Sequence, residues 1–319
     1  MQEKDHLQKQ STDSHYYKDS DSELVDIVAL LNILWKGKWL LIIVCFIFSL
    51  IGVGVALYLP NKYKATVIVQ PVESENGLGI GSLASRFGGL ASLAGLNLGA
   101  MGNNDSRIAL DIIKTWSYAD RFITENNLQV SLFAANGWDR ELNVLLIDES
   151  LYDNANKVWV RDPPKGKTVE PTSWELFEEY ENKLSIRPKG DSGLVEISFT
   201  HYSPYTAKEW LELLVADINT YMKAKALDEI KERITYLEEK IGETSIAEIR
   251  AAFSELIQEQ YKNAMLAEVT DEYVFKVISE AKVPEEKDSP KRAIIVALFF
   301  ILGGIFGATF LIVRAFFKR

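Results

Sequence analysis

The chain has 319 residues, 35 basic and 45 acidic, a formal net charge of −10, and 47% hydrophobic residues. Between the two terminal apolar runs, residues 60–292 hold 27 basic against 38 acidic side chains, a surface that repels phosphate backbones and argues against nucleic-acid binding. The single cysteine, Cys45, excludes an intrachain disulfide.

Residues 1–22 are polar and poor in apolar side chains, the composition of a disordered leader. In residues 23–38, Leu24, Ile27, Val28, Leu31 and Trp35 recur at helical spacing opposite Glu23, Asp26 and Asn32. That pattern predicts an amphipathic interfacial helix, with Trp35 and Trp39 at headgroup depth. Residues 39–59 contain no charged side chain and no His, and as a helix reach roughly 32 Å, enough to cross a bilayer core of ~30 Å. Residues 293–313 repeat the pattern. A buried core helix of this length carries a polar face, and neither run has one. Gly54-Val55-Ala56 offers a small-x-small cleavage pattern, but the run is too long for a signal peptide and its leader too acidic.

Two spans put both termini on one side of the membrane. Basic residues flanking the two sides balance, but long domains translocate regardless of charge, whereas the basic tail 314–319 has no such exemption. The expected topology is cytoplasmic termini and a periplasmic middle domain.

Residues 60–203 predict an α+β base. Tyr63 to Val72 reads as a strand with Ala65, Val67 and Val69 on one face. A loop at 77–104, rich in Gly and Leu, follows; it contains no GxxxxGK[ST] and is read as a membrane-proximal or subunit-contacting segment. Ser106 is placed to cap a helix through about Asn127, with Ile108, Ile112, Trp116, Ala119, Phe122 and Ile123 as its buried stripe. Short strands at 157–161, 184–188 and 194–200 surround a small helix at 174–180, without regular βαβ spacing.

Residues 204–270 change character. Ser203 is a candidate N-cap and Pro204 the first helical residue. Apolar or small side chains recur by threes and fours from 211 to 241, Gly242 breaks the pattern, and a second stripe runs from Ile246 to Ala267. This predicts a long antiparallel helical hairpin projecting from the base. Leu213, Val215, Ile257, Tyr261 and Met265 lie beside the seam, either completing the packing or meeting a neighbouring subunit. Residues 271–292 hold a returning strand and the prolines Pro284 and Pro290, leading to a second span in which Gly303 and Gly307 form a GxxxG pair.

No HExxH, CxxC or GxSxG occurs, and His6, His15 and His201 lack a nucleophile-and-base arrangement. No catalytic residue, cofactor or metal is expected from the sequence, and the acidic side chains read as solvated helix faces.

Four stretches together resemble one family. Residues 26–40 carry an acidic residue and an apolar helix into Trp-Lys-Gly-Lys-Trp; residues 89–99 read GLASLAGLNLG; residues 248–266 read EIRAAFSELIQEQYKNAML and precede EYVFKVI; residues 281–292 read AKVPEEKDSPKR and lead to LGGIFG. In this order they resemble the Wzz chain-length determinants, polysaccharide co-polymerases of Gram-negative inner membranes. The resemblance implies an oligomeric periplasmic scaffold that sets the modal length of O-antigen or a related glycan made by a separate inner-membrane polymerase. Its proline-rich entry and glycine-bearing span assign assembly or polymerase contact to Pro284, Pro290, Gly303 and Gly307, while the stripe beside the hairpin seam offers Ile257 and Tyr261 for subunit contact. The partners it implies are a homo-oligomer, the polymerase, the growing glycan and the lipid bilayer. A structural adaptor of an export complex shares this topology; a periplasmic sensor would need a cytoplasmic output module.

Overall fold

A computed structural model describes residues 35–72 and 105–317 of the chain. The expected leader, most of the amphipathic helix, the Gly-rich loop and the end of the basic tail lie outside those residues. The described chain divides into two units, one made of the two chain ends and the other of Pro60–Pro290.

Helix α1, Lys38–Tyr58, is the first apolar run. The second unit begins with β1, Tyr63–Pro71, whose Ala65, Val67 and Val69 are buried on one face as their alternation predicts. Two helices follow, α2 (Asp105–Ile113) and α3 (Trp116–Glu125), in place of the single helix expected there. The break falls at Thr115, which is extended and accepts the Tyr118 N–H on its hydroxyl at 3.3 Å. A side chain that satisfies a free helical N–H lets a new helix start where the old one could have continued. Trp116 is consequently exposed rather than part of a buried stripe, while Ala119, Phe122 and Ile123 are buried. Ser106 caps nothing; its hydroxyl lies 2.9 Å from the Val72 carbonyl and 3.1 Å from that of Val274.

Helix α4 (Gln129–Phe133) leads into the hairpin β2 (Ala135–Asp139) and β3 (Val144–Ile147), then the two-residue pair β4 (Tyr152–Asp153) and β5 (Val158–Trp159). Helix α5 (Ser173–Lys183) opens with a reciprocal cap in which Thr172 and Glu175 each bond the other's backbone N–H. Strands β6 (Leu184–Pro188) and β7 (Val195–His201) complete the local chain before the long helices.

Helix α6 runs from Pro204 to Glu243, 40 residues or roughly 60 Å, capped by the Ser203 hydroxyl. It passes through Gly242, where the sequence suggests a break. Gly242 is the last residue but one of the helix, where its flexibility costs little, and the turn comes instead at extended Thr244. Helix α7, Ala247–Val269, returns antiparallel, so that Lys223 reaches the Glu268 carbonyl and the Asp271 carboxylate. Strand β8, Phe275–Ser279, and the second apolar helix α8, Arg292–Phe317, end the chain.

The sheet is antiparallel throughout, in the order β6-β7-β1-β8. Its core joins Val67, Val69, Ile197, Phe199 and Phe275 to Ile113, Phe122, Leu132 and Tyr180 of the short helices, and to Trp210, Leu211, Leu214 and Ile218 of α6. The first half of α6 is thus a base helix. Val215 is buried in this core and Leu213 packs against it, which removes both from the outward face of the hairpin. Past Met222 only Ile230 and Ile234 of α6 are buried, and neither belongs to the core cluster. The free arm is therefore the last half of α6 with α7. The fold is α+β with an apolar helix at each end, as the strand and helix patterning predicts.

Candidate functional surfaces

Among the described residues no group of three His, Cys, Asp or Glu side chains could hold a metal ion. The surfaces with a distinct chemistry are the apolar helix pair and the helical arm.

Helices α1 and α8 pack on each other in an antiparallel register, with Gly303 and Gly52 at two points of close approach. A Cβ at Gly303 would stand 2.8 Å from the Cβ of Phe48 and 3.0 Å from the Cα of Cys45. A Cβ at Gly52 would stand 2.8 Å from the Cβ of Phe299. Each helix therefore receives a Phe of the other in a glycine notch. Gly307 is looser, its Cβ position 3.6 Å from Val44, and Gly304 looser still toward Cys45. Phe48 and Phe306 add a ring contact at 5.7 Å. Gly303 and Gly307 thus lie along the seam of the chain's own pair; Gly52, which completes it, has no GxxxG partner and escapes a motif search.

Among the described residues, large apolar side chains of both helices stay exposed outside this seam. Ile42, Phe46 and Leu50 of α1 are 54%, 67% and 64% exposed, and Ile305 and Phe306 of α8 are each 60% exposed. Core helices of water-soluble proteins bury such side chains. Two helices of mean hydropathy 3.0 and 2.6 that expose their large residues fit membrane-spanning segments.

On the arm, Ile257 is half-buried, whereas Tyr261, Met265 and Val269 are 52%, 68% and 78% exposed. At spacings of four they form one stripe along α7. Next to it an open groove of about 520 Å³ is lined by Arg233, Tyr236, Leu237, Leu256 and Gln260. Pro284 and Pro290 lie half-buried in the irregular segment between β8 and α8.

Three polar nodes hold the base that carries the arm. Arg121 grips Asp217 of α6 through two nitrogens at 3.2 and 2.6 Å, bonds Glu125 at 2.6 Å, and stacks its guanidinium over Tyr118 and Tyr221. Arg161 and Glu175 are buried and paired bidentately at 2.9 and 2.8 Å, with Arg161 also donating to the Thr168 and Val169 carbonyls. That pairing holds the Glu175 carboxyl well below the ordinary carboxylate range. His201, also buried, accepts the Ser203 N–H on Nδ1 at 3.2 Å and donates from Nε2 to the Ser131 carbonyl at 3.0 Å. Burial pushes its pKa down to about 4, with the nearby Lys183 and Lys62 charges acting the same way. His201 is thus a neutral structural group. Its carbonyl partner Ser131 comes from the segment 131–147, which sequence periodicity leaves unread.

Residues 23–109 match the family model for the Wzz chain length determinant protein. A full-length bacterial polysaccharide co-polymerase aligns with 92% of this chain and 98% of its own, at 16% identity and a TM-score of 0.37. A fragment of WzzB, a polysaccharide co-polymerase from Salmonella Typhimurium, aligns with 72% of this chain and 100% of its own, at 14% identity and a TM-score of 0.30. No curated protein matches the sequence. The family match, rather than these distant superpositions, is the informative similarity, and it spans α1, β1 and the start of α2. Over residues 23–109 the chain is therefore similar to the Wzz chain length determinant family, the one its sequence resembles.

Proposed function

We propose that this protein is a non-enzymatic regulator of the modal chain length of O-antigen or a related surface polysaccharide, working as a homo-oligomeric scaffold beside an inner-membrane polymerase. The single observation that carries this reading is the Wzz domain match over residues 23–109, which covers the first apolar helix and the central strand of the base. The arm adds a physical rationale for assembly. A stripe of half-buried Ile257 and exposed Tyr261, Met265 and Val269 along the returning helix of the arm is stabilised when a neighbouring copy covers it, by roughly 25 cal/mol per Å² of apolar area.

In this reading both termini are cytoplasmic and Pro60–Pro290 is periplasmic, the orientation supported by the basic residues after the second span. Alkaline phosphatase fused after Arg319 is then inactive, and an active fusion overturns the orientation. Pro284, Pro290, Gly303 and Gly307 act in assembly or polymerase contact by fixing how the chain re-enters the membrane and how its two spans meet.

Deleting the gene and resolving lipopolysaccharide by gel electrophoresis tests the function. Loss of a modal cluster of long chains supports length control. An unchanged ladder refutes it, and lost secretion with normal ladders favours an export adaptor.

A further inference from the structure

The hairpin β2–β3 leaves an apolar surface that the reading above does not use. Its tip residue Leu142 is 74% exposed, and Val144 and Leu146, two apart on one face of β3, are 51% and 46% exposed. The tip is not loose. Asp139 accepts the N–H groups of Glu141 and Leu142 at 2.8 and 2.9 Å, and Trp138 donates its indole N–H to Asn143 at 3.0 Å. A rigid turn therefore holds a Leu out into its surroundings, beside the exposed charges of Arg140 and Glu141.

The other face of the hairpin is aromatic. Trp138 meets Tyr63 edge-on at 5.6 Å and Tyr205 at 6.1 Å, so three amphipathic rings from β1, β2 and α6 stand together. Tyr63 follows Tyr58, the last residue of α1, by five positions, at most roughly 18 Å of extended chain. The chain leaves this unit again beside the same point. Lys62 donates to the Ser289 carbonyl at 2.8 Å and accepts the Asp288 N–H at 2.9 Å, and α8 begins at Arg292. Covalent connection alone thus ties the aromatic cluster to both membrane-spanning helices.

We propose that β2–β3 is a membrane foot, with Leu142, Val144 and Leu146 in the outer acyl boundary of the bilayer and Trp138, Tyr63 and Tyr205 at headgroup depth. The chemistry suits that partner. Trp and Tyr favour the interface, where one part of the ring is dry and the polar atom wet, while aliphatic side chains enter more deeply. The charges of Arg140 and Glu141 remain at the headgroups. A foot at this place fixes the tilt of the base against the membrane independently of any subunit contact made by the arm.

The test uses the full chain with Cys45→Ser, carrying Leu142→Cys labelled with an environment-sensitive fluorophore, in phosphatidylethanolamine–phosphatidylglycerol nanodiscs. A Ser192→Cys label is the control. Ser192 lies in the turn between β6 and β7, and β7 pairs Tyr63 with His201 but Val69 with Val195, so that turn is roughly 20 Å along the sheet from Tyr63. Leu142 is largely exposed, so its replacement disturbs no packing, and circular dichroism verifies the fold. The proposal predicts blue-shifted emission at 142, quenched by lipids with a shallow nitroxide, and neither effect at 192. Equal, water-like emission at both positions overturns it. Blue-shifted emission at 142 that lipid nitroxides do not quench also overturns it, since another protein surface would then cover the hairpin.

Discussion

Asn219 binds Phe275 as a neighbouring strand would. Its side-chain carbonyl accepts the Phe275 N–H at 2.9 Å, and its amide nitrogen donates to the Phe275 carbonyl at 3.0 Å. The same oxygen also takes the Val274 N–H at 2.8 Å, and the nitrogen reaches Val215 one turn back along α6. A single buried amide, 4% exposed, thereby fastens the start of β8 to the helix that continues into the arm. Ser106 of α2 reaches Val274 from another direction, so α2, α6 and β8 meet at one point.

Replacing Asn219 with Leu keeps the forked shape of the side chain but orphans the Val274 and Phe275 backbone groups, each at roughly 1–3 kcal/mol. Asn219→Leu should therefore destabilise by about 3 kcal/mol or more, read as a lower thermal midpoint in detergent. Asn219→Asp keeps the acceptor and loses the donor, and should also fall below wild type. A wild-type midpoint for both variants would show that the node contributes little.

The glycine seam of the apolar helices predicts a graded series. Gly303→Ala and Gly52→Ala place a methyl within 2.8 Å of Phe48 and Phe299, so the helices must shift apart. Gly304→Ala and Gly307→Ala meet their neighbours at ordinary van der Waals distance and gain helix propensity. Crosslinking between cysteines placed on α1 and α8, in a Cys45→Ser background, should weaken for the first two variants and persist for the others. Equal crosslinking in all four would mean that the two helices do not meet as described.

His201 gives a pH dependence with a defined sign. Its ordinary pKa is 6.5 and its folded value about 4, so the unfolded chain binds a proton that the folded chain does not. The stability linked to neutral His201 is complete above about pH 6.5 and is lost as pH falls toward 4, by about 3 kcal/mol at the limit. His201→Gln should flatten the fall of the thermal midpoint across that window. Glu175, held low by Arg161, loses its contribution only below its ordinary value of 4.5, so its effect is largely separate. An unchanged slope in the variant would place the acid sensitivity elsewhere.

Period and punctuation made much of this fold legible. Apolar runs without charge mark α1 and α8, alternation marks β1, and Ser203-Pro204 marks the start of α6. What stayed hidden depends on contacts distant in sequence. Thr115 divides a helix that periodicity joins, because a cap is a local choice settled by what packs around it. Val215 looks like part of an outer stripe and is core, since only the sheet's position decides which side of α6 is inside. The hairpin β2–β3 is too short and too rich in Gly, Asp and Asn for alternation to stand out. Among the candidate site residues, the Gly303–Gly307 spacing offers close helix approach as one reading, while the notch at Gly52 has no GxxxG partner.

The central claim is that an assembly built through the arm sets glycan length, and Ile257 and Tyr261 test it. Both lie away from the base core, Tyr261 being 52% exposed, so Glu at these positions should leave helical circular dichroism intact. Light scattering of the detergent-solubilised double variant should report a smaller mass than wild type; retained mass would remove this face from assembly, and collapsed helicity would assign the residues to the hairpin's interior. The most direct measurement is the lipopolysaccharide ladder of a deletion strain expressing Ile257→Glu/Tyr261→Glu at wild-type membrane level. Loss of the modal cluster, with the ladder of the deletion strain, is the predicted result; a wild-type cluster would contradict the account.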